Sequence, residues 1–210
     1  MTFRRSLIST FTLVLAWSSA GALPPVTLDR SLRMMAGVEA TFVHRFRPRG
    51  VKAEQVERGR VVFGELPRMR WEYSAPEAKT FLFDGIRSFF YVPSDRQVSI
   101  NTIGDEQKST YPFLFIGDPA ARGRNFRQRD SSRAGILTTR LEPRDRQAQF
   151  KEIVLKIDSG SLLRSVEYTD RMGNRTIFEF FAHQKKVLSP ETFRFTTPPG
   201  VDVVGDRPAP

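Results

Sequence analysis

The feature that most restricts this chain is a series of short runs in which apolar and charged residues alternate with a period of two, each closed by a turn signal. Met69-Arg70-Trp71-Glu72-Tyr73 is the clearest. Successive side chains of a strand point to opposite sides, so Met69, Trp71 and Tyr73 share a face. Val38 to Phe46, Val56 to Leu66, Lys79 to Phe83, Ser88 to Val92 and Gln97 to Asn101 read as further strands. Gly135 to Leu141, Phe150 to Ile157, Leu162 to Thr169 and Thr176 to Phe181 resume the pattern later. Between them stand Pro48-Arg49-Gly50, Asp84-Gly85, Asp158-Ser159-Gly160 and Arg171-Met172-Gly173-Asn174, all turn-forming. A spacing of roughly ten residues with little helical periodicity predicts one antiparallel sheet, strongly curved or closed, with no internal domain boundary.

Three stretches depart from this pattern. Thr27 is placed to cap a short helix in which Leu28, Leu32 and Met35 form one apolar stripe and Gly37 ends the turn. Tyr111 to Gly117 is an apolar block in polar surroundings, read as a single helical turn or lid with Thr110 as its cap. Arg122, Arg124, Arg127, Arg129 and Arg133 crowd a segment with few apolar residues, which predicts an exposed loop or strand edge.

The first residues resemble an export leader: Arg4 and Arg5, an apolar stretch from Leu7 to Trp17, then Ala20-Gly21-Ala22. The expected division is a signal peptide at 1–22 and one domain at 23–210. With no cysteine the domain has no disulfides, no thiolate metal site and no place for an N-terminal lipid. An exported domain of this size without disulfides fits the periplasm, the expected localisation, better than a eukaryotic secretory route, and composition alone leaves both open. Setting aside Arg4 and Arg5, the formal charge of +10 falls to +8, which favours anionic partners. Export makes nucleic acid an improbable one, and a monomer is expected.

Catalytic parts are scarce. The two histidines, His44 and His183, have no second histidine or paired carboxylate at ligand spacing, and no nucleophile elbow or phosphate loop is found. Asp84 and Asp170 sit in turns, where bonding to local backbone is the ordinary role. The reading is therefore a protein that is not an enzyme and takes no cofactor or metal. Aromatic surface is abundant instead. Phe63, Trp71, Tyr73, Phe81, Phe83, Phe89, Phe90 and Tyr91 exceed what one short helix can cover, and the excess points to a cavity.

These residues also form a pattern. Leu66-Pro67-Arg68-Met69-Arg70-Trp71-Glu72-Tyr73-Ser74-Ala75-Pro76, then Phe83-Asp84-Gly85, Phe90-Tyr91-Val92-Pro93 and Gln97-Val98 resemble the periplasmic outer-membrane lipoprotein carrier family, LolA. Leu141-Glu142-Pro143, the Asp170 to Asn174 turn and the stretch from Phe193 to Val203 extend the likeness. The resemblance implies a mainly β fold: a single curved antiparallel sheet forming an incomplete, half-open β-barrel covered by short helices. It implies a carrier that binds lipoprotein acyl chains and moves them from the inner to the outer membrane. The implied partners are acylated lipoproteins, an inner-membrane ABC transporter as donor and an outer-membrane receptor lipoprotein.

The lipid-binding residues expected on this basis are Met69, Trp71, Tyr73, Phe81, Phe83, Phe89, Tyr91, Phe113, Leu114 and Phe115. Two positions depart from the family. Leu66 stands where an arginine before the proline helps latch the lid, and Phe42-Val43-His44 replaces a Phe-x-Gln. The rival readings are a lipid-sensing or regulatory module on the same half-barrel, a carrier of another envelope lipid, and an enzyme acting on such a lipid.

Overall fold

The computed structural model describes residues 25–104 and 112–206, so the leader at 1–22 and the Thr110 cap lie outside the described residues. Helix α1 (Leu28–Met35) opens the fold. The Thr27 hydroxyl accepts from the Arg30 backbone N–H at 3.1 Å, satisfying one of the amides a helix start leaves unpaired. Six strands follow: β1 (Val38–Arg47), β2 (Gln55–Phe63), β3 (Met69–Ala75), β4 (Lys79–Phe83), β5 (Arg87–Val92) and β6 (Gln97–Thr102). Two short helices, α2 (Pro112–Phe115) and α3 (Pro119–Asn125), precede a second meander. Its strands are β7 (Phe126–Arg133), β8 (Ile136–Pro143), β9 (Phe150–Ile157), β10 (Leu163–Asp170) and β11 (Arg175–Lys185). A 3₁₀ turn (Pro190–Phe193) and β12 (Asp202–Gly205) complete it.

All twelve strands form one sheet in the order β12-β6-β5-β4-β3-β2-β1-β11-β10-β9-β8-β7, an open sheet not closed into a barrel. The two meanders join where β1 pairs with β11. Both β4 and β9 have the bounds read from the sequence, and the Asp84-Gly85 turn is set by the Asp84 carboxylate, which accepts from the N–H groups of Ile86 and Arg87.

The antiparallel reading needs one correction. β12 pairs with β6 in parallel, Val203 beside Val98, because the chain returns along the outside of the sheet rather than through a hairpin.

The alternation of side chains divides the sheet into two faces. Phe42, Trp71 and Phe180 on the inner side join Leu28, Leu32 and Met35 of α1, with Leu141, Ile153 and Leu155 from the other meander, in one core. On the outer side of β4 to β6, Leu82, Phe89, Val98 and Ile100 form a second, smaller core under Phe193, Phe195, Val201 and Val203. The rest of the outer face carries ion pairs: Arg129–Glu142, Arg140–Glu152, Arg175–Glu167 and Arg45–Glu179.

Candidate functional site

The inner face is built around Trp71. Pairing of Met69 with Phe83 and Trp71 with Phe81 sets these residues, with Tyr73, on that face. Trp71 is 4% exposed and meets Phe42, Phe178 and Phe113 with ring centroids 5.0–5.1 Å apart, and Phe63 and Phe180 at 5.9 Å. Such tilted and edge-on pairs add roughly 0.5–1.5 kcal/mol each beyond the area they bury. Gly59 makes room for the cluster: a Cβ there would lie 2.9 Å from the Phe42 ring tip and 2.0 Å from the Glu72 carbonyl oxygen.

The cover consists of α1 and α2. Phe113 is buried against Trp71, Phe178 and Phe180, and Leu114 and Ile116 are buried in the same core, while the Phe115 side chain lies outside the described residues. One side chain ties this cover down. Arg122, 4% exposed, donates to the Ile116 carbonyl and to the Asp29 carboxylate of α1, with Nε 3.3 Å from Gln128 Oε1. It thus links the end of α2, helix α1 and strand β7.

Leu66 packs against Gly117 so closely that a Cβ on Gly117 would lie 2.7 Å from Leu66 Cβ. The Leu66 position therefore holds the cover by apolar contact, and the buried charge comes from α3. Between α1, Leu66, Gly117 and Pro119 a cavity of about 490 Å³ opens to the surface.

The far end of the inner face is polar. His44 stacks on Phe178 with centroids 4.3 Å apart, and its Nδ1 lies 3.0 Å from Glu57 Oε2. Lys79 bonds the other Glu57 oxygen and lies 4.7 Å above the Tyr73 ring. Burial lowers the His44 pKa, with Lys79 adding to this and Glu57 opposing it. Burial, then Glu57 and Tyr168, raise that of the Tyr73 phenol well above its usual range. Among the described residues no cluster of histidine or acidic side chains is arranged to hold a metal ion.

The expected site residues divide between the two faces. Met69, Trp71, Tyr73, Phe83, Phe113 and Leu114 come together in the inner core, and Phe81 packs at its margin. Phe89 and Tyr91 do not join them. Strand pairing sets Phe89 opposite Leu82 and Tyr91 opposite Thr80, on the outer face, where both meet Phe195. The aromatic residue of β5 that faces inward is Phe90, stacked on Phe81 at 4.3 Å. Period two, counted from Phe81 through the hairpin, carries that information.

Part of the aromatic excess is thus taken up by a second core, and the rest packs against Phe42, Phe178 and Phe180, whose own period of two is readable in β1 and β11. The arginine-rich segment is corrected too. Arg122 is buried within α3, a helix announced by Asp118-Pro119: the Asp118 carboxylate accepts from the Ala120 and Ala121 N–H groups.

An open sheet whose inner face is lined with rings and closed by short helices is a half-barrel scaffold with an apolar interior. The family model described as "Outer membrane lipoprotein carrier protein LolA" matches residues 33–196, and the chain belongs to that family. It is 28% identical over 193 residues to an outer-membrane lipoprotein carrier protein of Xanthomonas oryzae pv. oryzae, covering 90% of this chain and 91% of that one. It is 31% identical over 147 residues to one from Xylella fastidiosa (strain Temecula1), covering 68% and 69%. A solved structure of a conserved protein from Thermus thermophilus shares the fold with a TM-score of 0.52 at 14% identity, covering 84% of this chain and 96% of that chain.

Proposed function

We propose that this protein is an exported periplasmic carrier that receives the acyl chains of lipoproteins on the inner face of its half-barrel and conveys them from inner to outer membrane. The observation that carries this reading is an aromatic face closed by a four-residue helix, α2, which is held by ring contacts and the Arg122 clasp. Displacing Phe113, Leu114 and Ile116 uncovers Trp71 and its neighbours, and an acyl chain covers the same rings.

Each side chain withdrawn from the rings costs about 1.5–3 kcal/mol, and each buried methylene returns about 0.8 kcal/mol, so exchanging lid for lipid is close to neutral. A bilayer offers the chain the same gain. Direction therefore comes from partners: an inner-membrane ABC transporter that loads the carrier and an outer-membrane receptor lipoprotein that unloads it. Contacts with the lipid alone suit cargoes that differ in their protein part. Neither histidine has a role as catalyst in this scheme.

The acyl-contact residues proposed are Met69, Trp71, Tyr73, Phe81, Phe83, Phe113 and Leu114, with Phe90 added, Phe89 and Tyr91 removed, and Phe115 set aside because its side chain lies outside the described residues. Phe81 and Phe90 are half-buried, so replacing them disturbs the fold less than replacing Trp71. Uptake of a fluorescent fatty acid is measured for wild type, the double variant Phe81→Ser/Phe90→Ser and the outer-face variant Tyr91→Ser. Saturable uptake that is weakened only by the double variant is expected. No uptake by wild type, or equal losses from both faces, refutes the reading.

A further inference from the structure

β7 ends the sheet, and among the described residues no strand pairs along its other side. It is eight residues long, against four for β12 at the opposite edge, and every residue after Phe126 is exposed. The Asn125 carbonyl accepts from the Arg144 N–H, and the register runs unbroken from Phe126–Pro143 to Arg133–Ile136. In an antiparallel ladder the bonded pairs alternate, so Arg127, Arg129, Ser131 and Arg133 direct their backbone groups to β8. The N–H and C=O groups of Gln128, Asp130 and Ser132 point away from the sheet.

Among the described residues, Arg127 and Arg133 at this edge lack the carboxylate partners that several arginines of the central strands have on the outer face. Arg45, Arg140 and Arg175 each lie against a glutamate of a neighbouring strand. At the edge Arg129 has Glu142, but among the described residues no carboxylate pairs with Arg127 or Arg133. Period two sets Arg127, Arg129 and Arg133 on the outer side, while Asp130 faces inward and is bonded by Thr139 and Gln128.

From this edge we infer that β7 is a docking strand for an acidic polypeptide segment of a partner protein, which adds as a further strand with carboxylates at alternate positions. Main-chain hydrogen bonds to Gln128, Asp130 and Ser132 supply the pairing, and the arginine row selects the sequence. Charge on an edge also discourages self-pairing. Here the row carries one sign, so a second copy of β7 is repelled while an acidic strand is attracted. This holds whatever the inner face carries.

The test uses the whole exported domain and a synthetic peptide of the length of β7 in which glutamate alternates with valine and threonine. The control peptide has the same composition with its glutamates gathered at one end. The alternating peptide is expected to bind, to weaken with added salt, and to slow amide exchange at Gln128, Asp130 and Ser132. Arg127→Ser/Arg133→Ser is expected to weaken it roughly tenfold. Ser132→Pro, which removes one outward N–H and no charge, is expected to weaken it as well. Equal binding of the control peptide overturns the proposal, as does unchanged amide exchange in wild type, a measurement that decides the matter even if the proline variant does not fold. Binding of vesicles of anionic phospholipid through the same arginines, with no binding of the alternating peptide, also overturns it.

Discussion

Strands β4 and β5 carry apolar side chains on both faces, and the two faces are covered in different ways. Outside, Phe193, Phe195, Val201 and Val203 lie over Leu82, Phe89, Val98 and Ile100, and the chain that brings them is stitched to the sheet by backbone. β12 runs in register with β6, the Asp202 N–H donates to the Arg96 carbonyl at 2.8 Å, and the Asp206 carboxylate accepts from both the N–H and the hydroxyl of Thr102 at 2.7 Å. Inside, α2 shares no strand pairing with the sheet: Phe113 rests on rings, Leu114 is buried in the same core, and Arg122 holds the Ile116 carbonyl. A cover bonded through its backbone has a fixed register. One held by rings and a guanidinium can be exchanged for other apolar matter, which is the physical basis for assigning the inner face to a ligand and the outer face to the scaffold.

The contrast between the faces breaks most severely if they are not both true cores. Trp71→Ala inside and Phe89→Ala outside are each expected to lower the unfolding free energy by about 3–5 kcal/mol in urea titrations. Near-neutral behaviour of either would show that its face is not packed in solution. Arg122→Ala comes next, at about 1–3 kcal/mol, because Asp29 is 42% exposed and its charge is taken up by water once the arginine is gone. Its diagnostic effect is local: amide exchange quickens at Phe113 to Ile116 and stays unchanged in β12. Uniform acceleration would mean that Arg122 supports the whole fold and is no clasp.

Asp206→Ala is the mirror experiment on the outer cover. A small loss of stability is expected, with faster exchange at Val203 and Val204 and fatty-acid uptake equal to wild type. Altered uptake would couple two covers treated above as independent.

The smallest effect concerns pH. His44 and His183 both have pKa values lowered by burial from the ordinary 6.5. The unfolded chain then binds their protons more readily, so stability is complete above about pH 6.5 and declines as pH falls below it. Thermal melts of wild type and of His44→Gln/His183→Gln should diverge only in that acid range, and a parallel pH dependence would assign the acid loss to other groups.

Much of this is legible in the sequence because a strand half-buried on one face announces itself. Trp71 and Tyr73 sit between charges, so their common face follows from alternation alone. β5 conceals its facing because Phe89, Phe90 and Tyr91 are all aromatic. An apolar strand with cores on both faces has no polar side to mark its outside, and reading Phe89 and Tyr91 by composition puts them on the wrong one. Arg122 is obscured for a different reason: nothing local distinguishes a buried arginine from its exposed neighbours, and its partners, Asp29 and the Ile116 carbonyl, are assembled only by the fold. The shift of the clasp from the Leu66 position to α3 is likewise a matter of tertiary packing, although Gly117 reads locally as a stop.

The parallel pairing of β12 with β6 also bears on how the molecule folds. Asp202 must find Gln97 across roughly half of the chain, one of the most distant contacts in the sheet, whereas each hairpin of the first meander closes within a few residues. Loop-closure entropy places such a contact late in folding. Until it forms, Leu82, Val98 and Ile100 are open to water and to any chaperone or protease nearby, so the final strand acts as a timer for how long a newly made chain remains adhesive.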